Sequence, residues 1–151
     1  MTGASERGHE VLSEARSWLG TPYRHQGRCR GAGADCLGLV LGVWQEVIGP
    51  LPEIPPSYSA DWGEMGRQED LWDAALRHLC CVDPADVQIG DVLLFRMMPN
   101  AIAKHLGIQS ADGAMAQFIH AYSGRGVVES RLSGFWERAL CARFRFPKGT
   151  K

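Results

Sequence analysis

No two cysteines in this sequence stand in a C-x-x-C pair, and the five that occur, Cys29, Cys36, Cys80, Cys81 and Cys141, are odd in number. That pattern argues against a disulfide framework and against a structural zinc site. A zinc site built from Cys29, Cys36 and the histidines would lack two further ligands at workable spacing, so neither a metal nor any other cofactor is expected. Excess charge of one sign is missing too: the formal net charge is −1, which leaves no electrostatic footprint for nucleic acid. No apolar run reaches the length of a membrane span. The opening residues, MTGASERGHEV, lack the charged-then-apolar order of a secretion signal. The expectation is a protein made in the cytoplasm without a cleaved leader. Repeats and low-complexity tracts are also absent.

What is present suits a single folded unit over residues 1–151, since 151 residues at 45% hydrophobic content can bury about two-thirds of the unfolded surface without covalent staples. Val11, Leu12, Ala15, Trp18 and Leu19 follow helical spacing over 6–19, and Gly20 and Pro22 end the run. A loop rich in Gly and Arg follows over 21–34. A second helix is predicted over 36–48. Asp35 is its N-cap, and Gly49 and Pro50 stop it. This helix is apolar nearly all round and so central. Gly38 and Gly42 share one of its faces, where a neighbour can come close. Residues 49–67 hold four prolines, which reads as an insertion loop and, with Trp62, as a docking surface. Leu71, Trp72, Ala75, Leu76 and Leu79 mark a third helix. Of the adjacent pair Cys80 and Cys81, at least one is expected to pack as a small hydrophobe.

Strands come next: 90–96, then 104–111 and 114–121 around Asp112-Gly113, a strong hairpin signal, then 126–132 and 140–146, with a short helix near 133–138 between the last two. Helices first and strands later argue for an α+β fold with an antiparallel sheet. A two-residue turn at Asp112-Gly113 would set His105 directly across from His120, with Cβ atoms about 4.5–5.5 Å apart. Leu106, Ile108, Met115 and Ile119 would line the opposite face. Gly107, on the histidine face opposite Phe118, would leave room for a substrate group. Residues 140–146 alternate as a half-buried strand should.

The segment GAGADCLGLVLGVW, residues 31–44, sets Cys36 at the mouth of the central helix. A thiol there feels the positive end of the macrodipole, which lowers its pKa. Cys36 is therefore expected to alkylate faster than the other four cysteines. A thiolate is a nucleophile for acyl transfer, a histidine can carry its proton, and a third polar group can orient that histidine. Cys36, His105 and His120 can fill these roles if the helix mouth packs against the histidine face, with the Cys36 amide helping to bind an oxyanion. Arg24, Arg28 and Arg30 form a basic loop, either solvated or aimed at anionic groups of a substrate or partner. His9, His25 and His78 read as structural or solvated.

The ordered set GTPYRHQG, GADCLGLV, GDVLLF, KHLGI and FIHA, over residues 20–121, resembles the NlpC/p60 cysteine peptidases of bacterial cell walls. The segment FWERALCARFRFP adds a likeness to the compact type carried by phage tails and gene-transfer agents. The resemblance implies a papain-like α+β fold and hydrolysis of peptidoglycan stem peptides, typically between D-glutamate and a diamino acid. It implies Cys36 as nucleophile, His105 as base, His120 as the orienting residue, Tyr23 as a wall of the site with the cap Asp35 beside the nucleophile, and Leu37 at a substrate-contact position. Gly107, from the register, and Arg28, from the basic loop, are further candidate substrate contacts. It also implies peptidoglycan and tail or baseplate hub proteins as partners, with the enzyme acting in the wall of a target cell. Without an SH3-like targeting domain, other components would bring it there. Leu37 stands where the family usually has serine, Gln109 stands where an aromatic is frequent, and the 49–67 stretch is longer than in compact members. Two other readings are a silent baseplate module that keeps a peptidase fold, and a papain-like amidase or acyltransferase acting on another amide.

Overall fold

The first helix, α1 (Glu6–Arg16), forms because Val11 and Ala15 fall on one face and are fully buried. It stops earlier than its apolar pattern, and Trp18 reaches the core from the turns that follow, its indole N–H donating to Glu14 Oε2 at 3.0 Å. The structure is a computed structural model describing residues 6–53 and 69–148. Most of the proline-rich stretch, Trp62 included, lies outside those residues.

The loop after α1 contains a small ribbon, β1 (Arg28–Cys29) paired antiparallel with β2 (Gly33–Ala34). This ribbon leads into the central helix α2 (Cys36–Val47), and α3 (Asp70–His78) follows. The remaining strands are β3 (Cys80–Val82), β4 (Val92–Phe95), β5 (His105–Ala111), β6 (Gln117–Tyr122), β7 (Gly126–Arg131) and β8 (Leu140–Arg145), with α4 (Phe135–Ala139) before β8. These six strands form one antiparallel sheet in the order β3-β8-β4-β5-β6-β7. The fold is α+β, as the order of helices and strands implies.

Alternation along the strands divides the sheet into two faces. Val92, Leu94, Leu106, Ile108 and Ile119 form the main core with Leu39 and Val43 of α2 and Val11 and Ala15 of α1. Leu93, Phe95 and Phe118 form a smaller core on the other face, under Trp136 and Ala139 of α4. Gly38 and Gly42 act as expected. A Cβ on Gly38 would lie 1.7 Å from the Gly27 carbonyl oxygen, and one on Gly42 would lie 2.2 Å from the Trp18 ring.

Three expectations require correction. Gly113 does take a positive φ, +78°, but the chain continues into a 3₁₀ turn over Gly113–Met115. Ile108 therefore pairs with Ile119 and Gln109 with Phe118, a slip of two residues from the register of a two-residue turn. A slip of two preserves the faces, because side chains alternate with a period of two. Met115, however, sits on the turn and is 61% exposed. Cys80 and Cys81 are both exposed because β3 is a short edge strand. Finally, β8 is an interior strand, and its polar Arg143 is buried and pairs with the fully buried Asp91 at 3.0 Å. Arg145 Nε also donates to Asp91, at 2.7 Å. Two guanidinium groups thus compensate one buried carboxylate.

Candidate active site

The mouth of α2 is fixed by Asp35. One carboxylate oxygen accepts the Gly38 amide at 2.8 Å, and the other accepts the Gln26 amide at 2.7 Å. Gln26 has a φ of 64°, the left-handed region that favours glycine, so Asp35 also holds a strained turn against the helix. Both oxygens serve backbone amides and the side chain is buried. Asp35 is thus a cap and a loop anchor. It borders the site as the N-cap that the sequence implies, its oxygens occupied by backbone amides.

Cys36 opens α2, and its sulfhydryl donates to the Lys104 carbonyl at 3.6 Å. The sulfur therefore rests at the start of β5, beside the position that carries His105. Burial pushes the thiol up to about 12 from an ordinary 9.0, and the Asp35 carboxylate adds to the rise. The amides of Leu106, Leu37 and Cys36 pull in the opposite direction but do not win. Burial and Asp35 thus outweigh the amides at the helix mouth, opposite in direction to the expected depression of the thiol. Tyr23 pairs with Ala34 through a backbone bridge. Its phenol is held above its ordinary value by burial and then by Cys36 and Asp35.

His105 and His120 lie on the face of the sheet opposite the body of α2, among Phe95, Phe118 and Trp136. The body of α2 packs on the other face of β5, and only its mouth, at Cys36, comes to the start of that strand beside His105. Carried one residue beyond Ile108, the register sets Gly107 opposite His120, so the two histidines are diagonal neighbours. Their rings still meet edge to face, with His105 Nε2 2.8 Å from His120 Nδ1. A second contact was not anticipated: His120 Nε2 lies 2.9 Å from the Ser130 hydroxyl on β7. Its signal in the sequence was alternation alone, since Ser130 pairs with Phe118 and shares the histidine face. Trp136, inside the FWERAL segment, lies over His105 with centroids 5.2 Å apart and an interplanar angle of 32°. Burial, reinforced by His120, holds His105 down at about 3, and burial holds His120 at about 4, both from 6.5. Burial thus favours the neutral form of both imidazoles.

The remaining candidates divide. Leu37 lines an apolar groove between α2 and α3 with Leu41, Trp44, Leu71 and Leu106, one residue from the thiol. Gly107 is not an open wall: a Cβ there would lie 2.6 Å from the Phe118 ring, which already fills that space. Arg28 packs beside Gly38, about 200° around the helix from Cys36. It lines a groove with Cys29, Gln45 and Glu46 and is not brought to the sulfur's side. Among the described residues no group of three His, Cys, Asp or Glu side chains could hold a metal, and no helix is long and apolar enough to cross a membrane.

Known proteins share this architecture. The chain is 29% identical over 137 residues to a gamma-DL-glutamyl hydrolase of Bacillus subtilis, covering 90% of itself but only 29% of that protein. It is 27% identical over 126 residues to a probable endopeptidase NlpC of Escherichia coli, covering 83% of itself and 69% of that protein. The fold matches the crystal structure of the NlpC/p60 domain of the peptidoglycan hydrolase SagA with a TM-score of 0.64, at 22% identity over 92% of this chain and 98% of that one. An NlpC/P60 family protein from Bacillus cereus matches with a TM-score of 0.65, at 22% identity over 92% of this chain and 40% of that one. The NlpC/P60 family model matches residues 20–145, from the turn after α1 to the end of β8. The chain belongs to the NlpC/P60 family.

Proposed function

We propose that this chain is a thiol hydrolase of peptidoglycan stem peptides, with Cys36 as nucleophile, His105 as general base and His120 as the residue that orients it. The observation that carries the reading is the meeting of two local structures. The thiol is held at the start of β5, 3.6 Å from the Lys104 carbonyl, and the next residue, His105, is fixed through Nε2 by His120 at 2.8 Å. With Nε2 engaged, Nδ1 is the His105 nitrogen left to take the sulfhydryl proton.

The sulfur then attacks the amide carbonyl, and the oxyanion is met by the Cys36 amide, with the Tyr23 phenol at its side. The Nδ1 proton passes to the departing amine as the C–N bond breaks, leaving a thioester. Water, deprotonated by the same nitrogen, adds to the thioester and releases the acid and the thiol. The bond assigned is the one between D-glutamate and a diamino acid. The Bacillus subtilis relative, named a gamma-DL-glutamyl hydrolase, supports the glutamyl side of that bond. Likeness of the FWERALCARFRFP segment to the phage-tail type supports a further reading, in which the chain rides on a tail-like particle with baseplate or hub proteins and acts in the wall of the target cell.

Purified sacculi incubated with the chain provide the test. Soluble fragments with a new amino terminus on the diamino acid are expected by mass spectrometry, and Cys36→Ala should abolish them. Equal release by the Cys36→Ala chain would refute the assignment. Absence of the chain from purified tail-like particles would refute the particle role alone.

A further inference from the structure

Ser130 belongs to no motif of the site, yet it ends a chain of three side chains on one face of the sheet. His105 Nε2 is 2.8 Å from His120 Nδ1, and His120 Nε2 is 2.9 Å from Ser130 Oγ. Between neutral rings each of these contacts holds one proton, which leaves two arrangements. In one, His105 Nε2–H donates to His120 Nδ1, and His120 Nε2–H donates to the serine oxygen. In the other, the serine hydroxyl donates to Nε2, His120 Nδ1–H donates to His105, and the remaining His105 proton moves to Nδ1. Only the first leaves the His105 Nδ1 lone pair bare.

We propose that Ser130 is a positioning residue whose oxygen accepts the His120 Nε2 proton and thereby keeps His105 in the tautomer able to act as a base. This rests on the proposed roles of Cys36 and His105. A hydroxyl at this point lets His120 keep its proton on Nε2, the tautomer free histidine prefers. Without the hydroxyl, that N–H would be a part-buried donor facing no acceptor. Reversal of both rings relieves the donor and blocks the base. The backbone of β7 favours a clean test, because strand positions accept β-branched residues and Thr and Val have the same shape.

The experiment compares Ser130→Thr with Ser130→Val. Hydrolysis of a synthetic stem peptide is measured, together with the protonation state of each imidazole nitrogen by 15N NMR of the free protein. The wild type and Ser130→Thr should show His120 protonated on Nε2 and His105 bare on Nδ1. Ser130→Val should shift both rings toward the opposite tautomer and lower kcat roughly ten-fold, with KM unchanged. Identical tautomers and kcat in Thr and Val chains would overturn the proposal, as would a wild-type His120 protonated on Nδ1. If the wild type cuts no stem peptide, the proposed function fails while the NMR comparison still decides the role of Ser130.

Discussion

At Cys36 two influences on one sulfur oppose each other. The first-turn amides favour the thiolate, while burial and Asp35 favour the thiol, and the second pair prevails. Burial thus favours the neutral thiol at Cys36 and the neutral imidazoles at His105 and His120, so that on the proposed mechanism charge would develop only as the sulfur attacks. One consequence reverses the reading of the sequence. At pH 7 a small alkylating reagent should modify the exposed Cys29, Cys80 and Cys81 before Cys36. Mass spectrometry of a time course checks this, and Cys36 labelling first would show a thiolate stabilised beyond what the burial implies. Residue identity at the site was legible, because a thiol behind a capping aspartate and histidines on one strand face are local patterns. The direction of the thiol pKa was not, since desolvation depends on what the whole fold places around the sulfur.

Among the elements, α2 was the most legible and also carries the site. Its apolar residues, the Asp35 cap and the paired glycines each act within a few residues, so periodicity and capping rules found them. Replacing Asp35 with Ala removes the cap and also frees the Gln26 amide. A loss of about 1–2 kcal/mol in unfolding free energy is expected, measured by urea denaturation. Activity should fall further than stability does, because the strained Gln26 turn and Tyr23 lie on the same loop. Unchanged stability would show that the cap bonds contribute nothing net. The hairpin was legible in its position and faces but not in its register, because Asp112-Gly113 does not reveal that Ala114 and Met115 extend the turn. The burial of Arg143 was hidden for a similar reason: its partner Asp91 is far away in sequence, on the loop before β4.

Over the whole molecule, the buried site sets a pH window for stability. Unfolded imidazoles titrate near 6.5, but the folded pair does so at about 3 and about 4. Below pH 6.5 the unfolded chain takes up protons that the fold excludes, so stability falls as pH drops. At the other side, Cys36 is held up to about 12 against 9.0 in the unfolded chain, and Cys141 is also raised from 9.0. The unfolded chain loses those protons first, so stability falls again as pH rises above 9.0. Urea midpoints should form a plateau between the two limits. Replacing both histidines with Gln should flatten the decline between pH 6.5 and 4.5, a range above the ordinary carboxylate value of 4.5. A decline that persists unchanged would show that the histidines are not the groups involved. The α+β class and the sheet's antiparallel sense followed from the order of elements. The strand order, with β8 inserted between β3 and β4, is set by long-range pairing that no local pattern carries.

The indole of Trp136 lies across the imidazole of His105. A charged imidazole quenches indole light emission, so if His105 takes the sulfhydryl proton as proposed, this fluorophore should dim. On the proposed mechanism the Trp136 share of the emission of the five tryptophans would follow the proton on His105 without any added dye.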